Sequence, residues 1–130
     1  MGRYAFFNTD LEYKFRFGIQ SSSDIRRFAG IYRWDLSKNG YLVHEWEHKD
    51  MELIYKELES IVFNSKIEMP DFEKYESDIH GTYELRWDLE KLYEDPMCEE
   101  EARILAMFIL GSLIYHQLLY KEKLTAHYET

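Results

Sequence analysis

Residues 11–19 read LEYKFRFGI, and their strict alternation restricts this chain more than any other segment. Leu11, Tyr13, Phe15, Phe17 and Ile19 fall on one side, and Glu12, Lys14 and Arg16 on the other. Successive side chains point to opposite faces of a strand, so the spacing predicts a β-strand with one buried face. Tyr4 to Phe7 forms a shorter apolar run before it. The turn formers Asn8-Thr9-Asp10 lie between the two runs, which predicts an N-terminal hairpin.

A second hairpin is expected around Asn39-Gly40, because both residue types tolerate the positive φ of a two-residue turn. Strands are expected within 31–48 on either side of it, with a loop followed by a helix as the other reading. At the far end Leu124, Ala126 and Tyr128 alternate with Thr125 and His127, predicting a strand that closes against the N-terminal hairpin.

Helical spacing takes over between these regions. Ser21-Ser22-Ser23-Asp24 supplies N-cap candidates for a short helix over 24–28 that stops near Gly30. Asp50 is placed to cap a helix ending near Asn64, with Met51, Ile54, Tyr55, Leu58, Ile61 and Val62 in helical register and Glu52–Lys56 as an i,i+4 pair. Pro70 suits the first turn of a short helix over 71–77. Thr82 is a cap for another, carrying Leu85, Leu89 and Leu92 on one side. Asp95-Pro96 opens the last helix, with Glu99, Glu100 and Glu101 where the helix dipole favours negative charge. It runs to about Tyr120 and is apolar on nearly all sides, which predicts a central position. Gly111 within it implies close packing against a neighbour.

The expected fold class is therefore α+β: one domain over 1–130, with a small antiparallel sheet made of the N-terminal hairpin and the C-terminal strand. The sheet packs on a bundle of about four helices around the apolar C-terminal one. The chain contains 22 aromatic residues among 130, so few positions suffice to fill such a core. Cys98 is the only cysteine, which excludes an internal disulfide and fits a reducing, cytoplasmic setting. The first residues lack the apolar run of a signal peptide. The longest apolar run, Ile104 to Tyr115, is too short for a bilayer, so no membrane partner is expected.

Net charge is −9 and unevenly spread. Residues 1–40 carry seven Lys/Arg against four Asp/Glu, and residues 41–101 carry six against nineteen. A weakly basic region therefore precedes a strongly acidic one. The basic stripe of a nucleic-acid binder is missing, so no nucleic-acid partner is expected.

One segment carries a catalytic pattern. Residues 44–48 spell HEWEH, which matches H-E-x-x-H. On a helix, His44 and His48 would share a face and could hold zinc, with Glu45 as general base. Glu68 would supply a third ligand, at a spacing that resembles the glutamate-ligand branch of the zincin metallopeptidases. Against that, the motif occupies one arm of the Asn39-Gly40 hairpin. In a strand, residues four apart are separated by about 13 Å, too far to share one metal ion. Glu47 and Lys49 also place charge where zincins usually carry small or apolar residues. The remaining titratable residues have structural readings: His80 as a turn residue, His116 as a hydrogen-bonded core histidine, and Cys98 beside glutamates that oppose thiolate formation.

The stretches MGRYAFFNT, YKFRFGIQ, HGTYELRWDLEKLYE and GSLIYHQLLY resemble, over most of the chain, small proteins of giant DNA viruses to which no function is attached. The resemblance implies a viral product in the cytoplasm of an infected cell or packaged in a particle. It implies no site residues. The functional expectation is a non-enzymatic binding or assembly protein, since surplus aromatics serve interfaces as well as cores. Self-association would set the basic N-terminal region against the acidic middle of a second copy. A basic protein partner would meet the same acidic face. The catalytic alternative is a zinc-dependent hydrolase built on His44, Glu45, His48 and Glu68.

Overall fold

A computed structural model describes residues 3–9, 11–15, 20–64 and 99–129. Strands β1 (Arg3–Phe7) and β2 (Glu12–Phe15) come first, followed by a short 3-10 helix (Ser22–Arg27). Strands β3 (Ile31–Trp34) and β4 (Tyr41–Glu47) follow, then a one-turn 3-10 helix (His48–Asp50). Helices α1 (Met51–Asn64) and α2 (Glu99–Leu118) precede the last strand, β5 (Lys123–Glu129).

All five strands form one antiparallel sheet in the order β2-β1-β5-β4-β3. This corrects the expected architecture in two respects. The sheet is not a hairpin plus one strand: the 31–47 hairpin joins it through β4. The helical part is not a four-helix bundle either. The described residues hold two α-helices and two short 3-10 helices, and the expected helices over 71–77 and after Thr82 lie outside them. The physical reason for the larger sheet is β5. A strand has two hydrogen-bonding edges, and β5 gives one to β1 and the other to β4. Its pairing with β4 runs over seven residues, from Tyr41↔Glu129 to Glu47↔Lys123.

Cross-strand register sorts the side chains into two faces. Leu42 lies opposite Tyr128, Trp46 opposite Leu124, Ala5 opposite Tyr128 and Phe7 opposite Ala126, and all of these are buried. The other face carries Glu12, Lys14, Glu45, Glu47, Lys123 and His127, with Tyr4, Phe6 and Val43 set among them. One apolar and one polar face is the pattern of an antiparallel sheet packed on one side. Ile54, Leu58 and Ile61 of α1 join the same core, as do Leu110, Leu113, Ile114 and Leu118 of α2. Tyr55 and Val62, which share the expected apolar stripe of α1, are instead half exposed. The Glu52–Lys56 pair forms on its outer face at 3.3 Å.

Polar side chains extend the framework where the ladders stop. Asn8, in the β1–β2 turn, imitates a strand residue: its Nδ2 donates to Lys123 O and its Oδ1 accepts from Thr125 N, each at 3.1 Å. The Tyr13 hydroxyl donates to Gln20 Oε1 at 2.7 Å, and Gln20 Nε2 donates to Ala106 O at 3.2 Å, which ties β2 to α2. The β3–β4 reversal is longer than the expected two-residue turn. Asp35 N donates to Tyr41 O at 2.8 Å, closing a loop over 36–40 that contains Asn39-Gly40. Asp35 Oδ1 accepts from Ser37 N and Oγ, so the aspartate begins the reversal four residues before Asn39.

Gly111 marks the tightest approach between helix and loop. A Cβ there would stand 2.6 Å from Phe28 Cζ and 2.8 Å from Leu58 Cδ2. Both neighbours are buried, so neither ring nor leucine has room to retreat. Gly111→Ala should therefore destabilise the fold by about 1–3 kcal/mol, although alanine favours a helix over glycine by about 1 kcal/mol. Urea denaturation midpoints of the two proteins check this.

Candidate functional site

The HEWEH segment is extended. Leu42, His44 and Trp46 lie on the core face of β4, and Glu45 lies on the opposite face. His44 is buried, and its Nε2 sits 2.7 Å from Ala29 O. His48 begins the following 3-10 turn, is exposed, and holds Lys121 O at 2.9 Å through its own Nε2. At strand rise the two residues stand about 13 Å apart along the chain. Glu45 is clamped between Arg33 at 2.9 Å and Lys123 at 3.7 Å, which makes it the centre of a charge ladder across β3, β4 and β5. Glu68 lies outside the described residues. The structure thus brings His44, Glu45 and His48 to three different places, and the helical spacing on which the zinc reading depends is not formed. Among the described residues, no group of three or more His, Cys, Asp or Glu is placed to hold a metal ion.

What β4 builds instead is an aromatic corner around the loop of Phe28, Ala29 and Gly30. Trp46 Nε1 donates to Phe28 O at 2.7 Å, and His44 Nε2 meets the next carbonyl, that of Ala29. Two successive carbonyls thus receive two neighbouring rings. His44 and Trp46 stack with centroids 4.2 Å apart, and Tyr32 continues the stack 6.0 Å from His44. Arg26 lies 4.6 Å over the Tyr32 ring, and its Nε donates to the Tyr128 hydroxyl at 3.4 Å.

The backbone bends sharply to achieve this. Ala29 has φ +55° and Gly30 φ +75°. A left-handed alanine is strained by about 1 kcal/mol or more, and it persists where surrounding bonds over-determine it. Gly30 has no alternative residue type, since a Cβ would stand 2.6 Å from Glu45 O and 2.8 Å from Trp46 Cδ1. The loop is held from both sides, and β3 starts directly from it.

A carbonyl only accepts, so Nε2 of His44 carries the ring proton. Nδ1 is then a bare acceptor, buried with no hydrogen-bond partner. Burial pushes the His44 pKa below its ordinary value and nearby Arg26 adds to the shift; the Ala29 hydrogen bond and Asp50 oppose it. Burial likewise pushes the Tyr128 hydroxyl upward, with Arg26 opposing.

The corner supports an open sheet edge. Among the described residues β3 pairs only with β4. Its residues are nonetheless large and apolar: Ile31 is 68% exposed, Tyr32 53% and Trp34 61%, and Leu36 just beyond is fully exposed. The other edge strand, β2, carries Glu12 and Lys14 among its four residues, the kind of charge that discourages edge pairing. The corresponding charge on β3 is Arg33, and Glu45 already engages it. A groove of about 880 Å³ between α1 and α2 is a second apolar feature, lined by Tyr55, Val62, Phe63, Phe108 and Tyr115.

None of the sequence-predicted candidates lies on the β3 edge, and Tyr32 and Trp34 escape a sequence reading as ordinary strand residues. The available signal is the absence of opposed charge in IYRW beside a turn. That signal becomes decisive only once the strand order makes β3 an edge. Comparison with known proteins finds no matching family model, no matching curated protein and no matching solved structure. No helix among the described residues is long and apolar enough to cross a membrane.

His44 makes stability depend on pH. Its folded-state pKa lies below the ordinary value of 6.5, so the unfolded chain takes up the proton first as pH falls. The stability held by the neutral ring is intact above about pH 6.5 and is lost progressively below it. His44→Gln keeps an N–H for the Ala29 carbonyl but does not titrate. Between about pH 7.5 and 5.5 the native chain should lose up to about 1 kcal/mol more stability than the variant. Thermal melts of both proteins across that range measure the difference, and parallel curves would refute the assignment.

Proposed function

We propose that this chain is a protein-binding or assembly module that works by strand addition at the open edge of β3. The observation that carries this reading is a short edge strand whose outer side has no strand partner among the described residues and whose apolar side chains are more than half exposed. Natural sheets blunt their edges with charge, proline or cover, and an edge left apolar marks a place where another strand docks. Backbone hydrogen bonds supply affinity in such docking, and alternate side chains supply specificity.

The rigidity of the corner supports the same reading. Tyr32 is stacked on His44 and covered by Arg26 before any partner arrives. A binding strand that is already ordered loses little conformational freedom on association, which favours affinity. Tyrosine, tryptophan and arginine are also the residues that most often dominate binding energy at interfaces. The partner is an extended protein segment, and the reading requires no nucleic acid, membrane or cofactor. The acidic stretch 41–101, to which the sequence assigns a basic partner, falls largely outside the described residues and adds nothing to this edge.

Selection from a displayed library of extended peptides tests the proposal. Peptides of alternating apolar pattern should be enriched on the native chain, and Trp34→Lys should lose at least tenfold in their capture. Because Trp34 is exposed, the same substitution should change folding stability by no more than about 0.5 kcal/mol. Equal capture by native and variant chains would overturn the proposal.

A further inference from the structure

Resting on the strand-addition reading, we propose that the occupant of the β3 edge is a second copy of this chain, paired antiparallel about a two-fold axis at Trp34. The argument begins with which backbone groups are open. The bond from Asp35 N to Tyr41 O identifies 35/41 as a hydrogen-bonded pair of the β3–β4 ladder. Such pairs alternate along an antiparallel ladder, so Arg33 and Ile31 also face β4. The amides and carbonyls of Tyr32 and Trp34 therefore point outward.

A two-fold partner must set outward residues against outward residues, which leaves three registers. Centred on Tyr32, the pairing places Trp34 against Gly30, where the chain leaves the strand in its left-handed turn, and leaves Leu36 uncovered. Centred on Arg33, it gains the most backbone bonds but sets one guanidinium directly against its twin, and like charges directly opposite oppose pairing. Centred on Trp34, it sets Trp34 against its own copy as the one backbone-bonded pair, and Tyr32 faces the turn of the mate that starts at Asp35 and carries Leu36. On the other face each Arg33 then meets an Asp35, twice by symmetry. The sequence IYRWDL is self-complementary in this last register alone.

Both charges are prepared for it. Asp35 takes its two Ser37 bonds on Oδ1, leaving Oδ2 for a cation across the strand. Arg33 engages Glu45 through Nη1, and a guanidinium offers five donors. Closed two-fold symmetry also satisfies the edge without propagating a fibre, since each chain contributes the same patch. The area is modest. Ile31, Tyr32, Trp34 and Leu36 together offer roughly 400–500 Å² per copy, which puts the dimer near the roughly 1,000 Å² lower bound of specific interfaces. A dissociation constant on the order of 10–100 µM is expected.

Sedimentation equilibrium of the full chain, from micromolar to sub-millimolar concentration, should show a monomer–dimer equilibrium. R33D and D35R should each weaken it at least tenfold, since the first sets acid against acid and the second base against base. An equimolar mixture of the two variants should recover dimer to within about threefold of the native chain, because each then meets its opposite. Circular dichroism confirms that both variants are folded, and the mixed dimer forms only if they are. A chain that stays monomeric throughout, or a dimer indifferent to both substitutions, would overturn the proposal. If the chain is monomeric but Trp34-dependent peptide capture persists, the second-copy occupant fails and strand addition stands. If neither dimer nor capture depends on Trp34, both readings fail together.

Discussion

The double pairing of β5 is the constraint on which the rest of the structure depends. This strand lies in the middle of the sheet, and its Leu124, Ala126 and Tyr128 are fully buried. One of its edges holds the N-terminal hairpin through β1, and the other holds the β3–β4 hairpin through β4. Without it the two hairpins share no ladder, and an isolated two-stranded hairpin is marginal in water. The contacts it makes join residues from 76 positions apart (Glu47↔Lys123) to 123 positions apart (Ala5↔Tyr128), so the entropy of closing the chain is offset only when the whole core assembles. Asn8 reinforces the same closure by bonding both Lys123 and Thr125.

The aromatic corner is the second consequence of that arrangement. Pairing with β5 fixes which face of β4 is buried, and this places His44 and Trp46 inward together. Both rings carry an N–H that must find an acceptor when buried, since an unmade hydrogen bond there costs more than a made one contributes. The carbonyls of Phe28 and Ala29 provide those acceptors, and the backbone bends through two left-handed residues to present them. The strain at Ala29 is thus a by-product of satisfying two buried rings. It also sets the start of β3 and so aims the exposed edge.

The edge itself follows from topology. The five strands of the described residues form an open sheet with two end strands, and β3, paired only with β4 among them, is one. Its Tyr32 and Trp34 lie on the same face as the core residues of β4, yet apart from Arg26 of the first 3-10 helix over the Tyr32 ring both stay more than half exposed. They are apolar residues carried past the end of the core. The charge ladder of Arg33, Glu45 and Lys123 occupies the reverse face and keeps that side polar.

Much of the local structure was legible in the sequence. The alternation at 11–15 and 124–128 specifies strands because a pleated backbone turns successive side chains to opposite sides. The spacing of Ile54, Leu58 and Ile61 specifies a helix because 3.6 residues complete a turn. Glycine at 111 announces a close approach because a helix tolerates its cost only where a side chain cannot fit. The HEWEH motif was legible as a pattern while its backbone conformation was not, because its meaning depends on whether four residues span one helical turn or about 13 Å of strand. What only the tertiary structure decided is strand order: that β5 stands between two hairpins, that Glu45 and His44 face opposite ways from one sheet, and that Tyr32 and Trp34 end at an edge. Periodicity is a property of neighbours along the chain, whereas strand order is settled by contacts between segments far apart in it, and no local pattern of residues records which edge remains open.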